Sequence, residues 1–483
     1  MNVNVYSKHT IPLSIICVIG FLFSLPIILN GAFYIDDLDR LAKGYGWDQD
    51  GRPFATLFMK ILSFGMPLTD LSPFTNIIAV LLLLLSGYIF CDMLNVKSLA
   101  LKVALTLPVI CSPYLLQGLS YKWDSLTISL SIFLAVVPFL LLKRGLLFPV
   151  VSGICLSLSL LTYQASVVIY PIGFILILSG VLTKDVNFSI KEIIARFFAS
   201  LVLGGVFYKI ISWALKTKYD ANRGKLFFDS EAPLSVLKEN LHTVLSFSEP
   251  LLKSPFGYIL LISLALVLIG FIVNLFVPGN KVFLLSPLLI VSSFVMVILL
   301  LLLLKNPPVA PRLFPGLPFA LIVTLYWVSK FNSKIAVTLS AVFMTFAFVV
   351  CASYFNAFSD QYKYQEQIAS EVFSGNFIPN GNVVIEGRAP LSLNASLTLK
   401  KYPFLIPVLP VYLNSGWVWG GKFLYNHGYI NNGQFIYTPG LAKERDAIIN
   451  QKCSASRIIE GRTYTLRIGN GFTIIDFNNE KCH

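Results

Sequence analysis

The chain has 483 residues, 56% of them hydrophobic and 13% charged, with 37 Lys and Arg against 24 Asp and Glu for a net charge of +13. So little charge excludes a soluble protein of this length, and apolar runs of about 18 or more residues recur, long enough to cross a hydrocarbon core of roughly 30 Å. The basic excess belongs to inner loops and headgroup-level anchors, where it sets orientation and meets anionic membrane lipid; no nucleic-acid partner is expected.

In lipid, backbone polar groups must be satisfied within the segment, so the apolar runs are read as helices. About eleven spans are predicted, near 11–29, 73–93, 99–117, 125–142, 146–162, 166–182, 193–213, 256–277, 282–304, 313–329 and 335–357. The first reads as a retained helix, because Pro26 and Asn30 end it without a small-residue cleavage pattern. After it comes a polar loop, 30–72. Within that loop Leu57, Phe58, Ile61 and Leu62 share one helical face over 53–64, which suits a short helix lying at the interface or a plain connecting helix. A second long polar segment covers 214–255 and a third 358–483. The chain thus divides into a membrane part, 1–357, and a C-terminal domain, 358–483.

With the N-terminus inside, the inner loops hold Lys97 and Lys102, Lys143 and Arg144, Lys184, Lys191 and Arg196, Lys281, and Lys330 and Lys334. Every one is basic, as the positive-inside rule asks. The C-terminus and all three long polar segments then fall outside. The tail reads as a polar helix (359–373) followed by strands at 382–386, 407–413, 463–468 and 471–477, the last two joined by a turn at Gly469-Asn470. This is a small α/β or β-rich domain. Cys17, Cys91, Cys111, Cys155 and Cys351 lie in or beside apolar runs and read as buried thiols. On the outside, Cys453 and Cys482 are placed to close a loop of roughly thirty residues. Four histidines and unsuitable cysteine spacings argue against a metal site, and no cofactor motif is present.

The polar clusters on the outer face carry the candidate chemistry. Tyr34-Ile35-Asp36-Asp37-Leu38-Asp39-Arg40 follows the first span. A carboxylate there can take a proton from a hydroxyl, as sugar transfer requires, and the neighbouring acid can bind the acceptor, orient Arg40 or hold a cation. A solvated acidic turn would read the same way. Gly51-Arg52-Pro53 fixes a guanidinium at headgroup depth, suited to a lipid phosphate or to simple anchoring. The run from Gln117 to Asp124 brings Tyr121, Lys122, Trp123 and Asp124 into one turn. Aromatic faces beside carboxylates suit a sugar, and Tyr and Trp also belong at any membrane interface. Tyr163-Gln164 sits in a tight turn, and Lys305 to Arg312 is a proline-stiffened loop with two cations.

At these residues the sequence resembles the serotype-converting O-antigen glucosyltransferases, the glucosyl transferase II family. The resemblance rests on Asp36-Asp37 with Arg40, on Gly51-Arg52-Pro53 opening a short helix, and on Tyr121 with Asp124 and Tyr163-Gln164. It implies a GT-C-like α-helical polytopic protein of the bacterial inner membrane. The implied donor is undecaprenyl-phosphate glucose and the acceptor a sugar of the lipopolysaccharide O-antigen repeat. Asp36 or Asp37 would be the catalytic base. Arg40, Arg52, Tyr121, Asp124, Tyr163 and Gln164 would bind substrate; Asp39, an extra acid to which the family assigns no role, and Lys122 and Arg312 join them as substrate-binding candidates from their own chemistry. Its companions would be a donor-synthesising glucosyltransferase and a small flippase. The alternatives are an O-antigen polymerase, which would extend chains instead of decorating them, and a flippase for lipid-linked glycans. A flippase would place ionisable groups along a central cavity, whereas these spans are nearly free of charge.

Overall fold

A computed structural model describes residues 3–217, 225–276, 281–374, 379, 381–438 and 440–479. Two units emerge. The first contains Met1–Ile28, Tyr45–Cys351 and Tyr402–Phe404; the second contains Leu29–Gly44, Ala352–Lys401 and Leu405–His483.

The first unit is helical. Among the described residues, eight helices are long and apolar enough to cross a membrane, and three of the shorter apolar helices, Leu99–Ile110, Leu147–Leu160 and Leu317–Phe331, coincide with the remaining expected spans. Burial sorts them. Gln164–Leu182 has 72% of its apolar window inside the protein and Ile190–Ala214 only 17%, so the former is a core element and the latter turns most of its apolar surface outward. Leu317–Phe331 is buried at every position from Leu317 to Val328, which is the pattern of a helix apolar all round and enclosed by its neighbours. Small residues permit the closest crossing. A Cβ on Gly153 would stand 3.1 Å from the Gly204 backbone nitrogen, and Ser157 Oγ donates across to the Gly204 carbonyl at 3.0 Å. Such contacts hold helices together where no hydrophobic difference between lipid and protein can.

One expected span is broken. The predicted helix over 99–117 becomes Leu99–Thr106, a 3-10 turn Leu107–Ile110 and a separate helix Leu115–Ser120. Pro108 and Pro113 supply no backbone N–H and cannot continue the ladder. The interruption leaves Gln117 within, and Tyr121 just after, a short separate helix.

In the second unit, four strands form one sheet: β1 (Asn382–Glu386), β2 (Arg457–Glu460), β3 (Thr465–Gly469) and β4 (Phe472–Asp476), in the order β1-β4-β3-β2. β1 runs parallel to β4 and the other pairings are antiparallel. β4 is buried along its whole length. Within the sheet, Arg467 and Asp476 form a buried pair at 3.4 Å, and Asp476 also accepts from the backbone of Asn478 at 2.8 Å. Taking both charges out of water costs about as much as their attraction returns, so the pair adds little net stability while its loss from one side would leave a buried charge.

Two expectations in the tail need correction, and the expected helix is present but joined to the span before it. Residues 407–413 are irregular instead of a strand, because Pro407 and Pro410 cannot donate to a ladder. The β3–β4 turn is Asn470-Gly471, one residue later than expected, with Gly471 taking φ 79°. The polar helix at 359–373 is the continuation of one long helix, Ser333–Val372, with no break at 357. β2 escaped the sequence reading altogether. Cys453 is disulfide-bonded, and Cys482 lies outside the described residues.

Candidate functional site

The two units each hold a share of the candidate residues. In the first unit the loop after Gly44 closes on itself. Asp48–Asp50 forms one 3-10 turn capped by Gly51 at φ 71°, and the Arg52 amide returns to the Trp47 carbonyl at 3.1 Å. Pro53 then opens the helix Pro53–Leu62 at its first position, where a missing N–H costs nothing. The next amide, Phe54, donates to the Leu161 carbonyl at 3.1 Å, which ties this helix beside Tyr163.

Arg52 is therefore held on several sides. Its Nε donates to Gln164 Oε1 at 3.1 Å, its guanidinium lies over the Tyr163 ring at 4.7 Å, and one terminal nitrogen stands 4.0 Å from Asp124 Oδ1. The same Asp124 oxygen accepts from the Trp47 indole at 2.6 Å. Gln164 turns its amide nitrogen back to the carbonyls of Asp50 and Gly51. The Tyr163 hydroxyl donates to the Arg312 carbonyl at 3.2 Å, and the Arg312 amide donates to Gln117 Oε1 at 2.9 Å. Arg312 also lies over the Tyr121 ring at 5.3 Å and donates to its hydroxyl. Two guanidiniums thus rest on two tyrosine faces, and the Tyr163 hydroxyl links the two pairs through the Arg312 main-chain carbonyl. A planar cation stacked on an aromatic ring keeps its outward N–H groups pre-aimed for an anion.

Lys122 pairs with Asp70 at 3.4 Å, at the edge of this network. The second cation of the proline-stiffened loop goes elsewhere: Lys305 donates from its backbone to Lys225 and from its side chain to the Asp229 carbonyl.

The acidic cluster belongs to the second unit. Ile35 adopts φ 43°, a conformation that a β-branched residue enters only when its surroundings impose it. The buried Tyr412 hydroxyl imposes it here. It accepts from the Ile35 amide at 3.1 Å and donates to the Phe33 carbonyl at 2.7 Å. Burial pushes the Tyr412 phenol well above its ordinary pKa, so the proton it donates stays in place. Tyr34 is anchored separately, its hydroxyl donating to the Val408 carbonyl at 2.8 Å. The helix Asp37–Lys43 starts immediately, and Asn426 Nδ2 donates to the Leu38 carbonyl at 2.6 Å. Asp37 and Arg40 are buried, and Asp36, at the helix cap, is half-buried.

Asp39 has a partner of its own. Lys422 approaches it at 2.8 Å and Lys43 at 3.1 Å. Burial raises its pKa, but hydrogen bonds and charge from Lys422 and Lys43 outweigh that and hold the carboxyl below its ordinary value. This ties the Asp37–Lys43 helix to the helix Val418–Asn426.

The structure brings Arg52, Tyr121, Asp124, Tyr163, Gln164 and Arg312 into one network, and sets Asp36, Asp37, Asp39 and Arg40 on one pinned turn and helix. Sequence reasoning missed Trp47, Tyr412, Lys422 and Asn426. Gln117 stood inside a recognised motif without being chosen. The family model for glucosyl transferase GtrII matches residues 25–320, a stretch that contains every candidate residue from Asp36 to Arg312. The chain belongs to the GtrII family. This GtrII-family chain is also 23% identical over 451 residues to a Salmonella phage P22 protein described as an uncharacterized 55.3 kDa protein in the gtrB 5' region, covering 86% of this chain and 89% of that one. No solved structure matches it. The protein is a membrane-embedded glucosyltransferase of this family, with its sheet domain at the C-terminus.

Proposed function

We propose that the protein transfers glucose from undecaprenyl-phosphate glucose to a sugar of the lipopolysaccharide O-antigen repeat, on the periplasmic face of the bacterial inner membrane, and so alters serotype. The observation that carries the reading is the pair of stacked arginines. Arg52 lies over Tyr163 and Arg312 over Tyr121, and the Tyr163 hydroxyl donates to the Arg312 main-chain carbonyl, so two held cations stand in one network, the kind of charge a departing lipid phosphate needs.

In the proposed reaction Asp36 or Asp37 removes the proton from an acceptor hydroxyl. That oxygen bonds to the anomeric carbon as the bond from this carbon to the phosphate oxygen breaks. Undecaprenyl phosphate leaves with its charge on the Arg52 and Arg312 guanidiniums, and a β-linked donor gives an α-linked product. No metal is invoked, because the two guanidiniums supply the positive charge. The N-terminus is placed in the cytoplasm and the C-terminus in the periplasm. A separate enzyme makes the donor and a small flippase delivers it.

The test is transfer from purified donor lipid by the Asp36→Asn and Asp37→Asn variants. At least one should lose about 10²- to 10⁴-fold in rate, the usual contribution of a positioned base. Full activity in both would remove the proposed base.

A further inference from the structure

The second unit contains an open cleft of about 360 Å³ that the reaction above does not use. Its wall includes Tyr34 and Ile35, the two residues that precede Asp36, together with Arg388, Asn414, Trp417 and Thr438. We infer that this cleft is the acceptor subsite, where a stretch of neutral, hydroxyl-rich glycan stacks on Trp417 and is handed toward the acidic turn; the assignment of a glycan rests on the proposed transferase reading.

Four observations on this unit favour a sugar. Trp417 is half-buried, with its ring nearly parallel to Tyr412 at an angle of 10° and a centroid distance of 6.0 Å. A flat, immobilised indole in a cleft wall presents the apolar platform that the C–H face of a pyranose ring covers. Around it stand the Arg388 guanidinium, the Asn414 carboxamide and the Thr438 hydroxyl beside apolar Ile406 and Val411, a mixed wall that suits a ring of hydroxyl groups with C–H faces and whose polar members a polyprenyl chain would leave unsatisfied.

The wall is also rigid. Gly416 sits at φ 64°, where a Cβ would meet Thr438 Oγ1 at 2.3 Å. Thr438 donates from its amide to the Gly416 carbonyl at 2.8 Å, and the Ser415 amide donates to the Gly387 carbonyl at 2.7 Å. Finally, one residue joins platform and base. The Tyr412 ring carries Trp417, and the Tyr412 hydroxyl pins the Ile35 turn on which Asp36 and Asp37 follow. A sugar seated on Trp417 is therefore registered against the carboxylates through a single intervening side chain, as preorganised transfer demands.

The experiment uses the full chain in lipid nanodiscs. Titration calorimetry with polysaccharide released from the host's lipopolysaccharide by mild acid reads binding, and transfer assays read KM for acceptor and donor separately. Trp417→Ala and Arg388→Ala should each weaken polysaccharide binding and raise the acceptor KM about tenfold, with the donor KM within about twofold. Trp417→Phe, which keeps a ring, should stay within about threefold of the unmodified chain. Arg388 is exposed, so its loss tests the cleft without threatening the fold. Unaltered binding and acceptor KM in both alanine variants would overturn the subsite. So would a rise in donor KM alone, which would assign the cleft to the lipid carrier. If the unmodified chain binds polysaccharide and the two alanine variants do not, yet no glucose moves from the donor lipid, the cleft stands and the proposed reaction falls.

Discussion

The two units hold their charged groups by different means. In the first, Arg52 and Arg312 are placed by other side chains: Gln164, Tyr163, Tyr121 and Asp124. In the second, Asp36 and Asp37 are placed by the backbone, because the Tyr412 hydroxyl locks a turn that the chain would not adopt unaided. A side-chain network can be dismantled one member at a time, each loss loosening the rest. The turn at Ile35 depends on the Tyr412 hydroxyl, with Tyr34 and the helix that follows tied down by bonds of their own. On the proposed reading, cations that yield slightly as a phosphate departs suit the first arrangement, and a base that meets one hydroxyl suits the second.

The comparison breaks most sharply at the arginines. Replacing Arg52 or Arg312 by Ala should lower transfer about 10²- to 10³-fold if each stabilises the leaving phosphate. Lys should restore only a minor part, since it keeps the charge but not the forked, ring-stacked geometry. Single-turnover assays with excess donor measure this; equal activity of the Lys and Arg forms would show that charge alone matters. Next comes the latch. Tyr412→Phe removes one hydroxyl and retains the ring beneath Trp417, so about 1–2 kcal/mol of local stability should go with it. Transfer should fall about tenfold or more, through kcat and not acceptor KM. A change in KM alone would mean the turn holds without the hydroxyl.

The smallest effect belongs to Asp39. Its folded pKa lies below the ordinary 3.8, so the ionised form favours the folded state at every pH above that value. The contribution disappears as pH falls through the folded pKa. Melting curves of the unmodified chain and Asp39→Asn should differ modestly at neutral pH and converge below pH 3.8. The half-exposed setting keeps the difference within about 1 kcal/mol. Curves that stay apart in acid would show that Asp39 acts through something other than its charge.

The helices were legible because lipid solvation writes itself as long apolar runs. The candidate cations and aromatics were legible because polar residues clustered between such runs have few other reasons to be there. The latch was not. Tyr412 lies some 377 positions from the Ile35 it holds, in a proline-interrupted stretch that alternates like a strand and is none. Nothing local marks Trp47 within its polar loop; only folding shows it buried against Asp124. Asp39 could be read as a third acid of the site until Lys422 appeared beside it. Pairings of this sort depend on which distant segment returns, and local pattern carries no record of that.

Residues 29–44 group with the tail, whereas the rest of the first loop groups with the helices. The seam between structural modules therefore does not follow the chain's linear order. Recombination between relatives that exchanged only the last quarter or so of the gene would pair an inherited acidic turn with a foreign latch. A productive exchange must carry two separate stretches together, so functional variants should arise far more readily by point substitution within the tail than by wholesale transplantation of it.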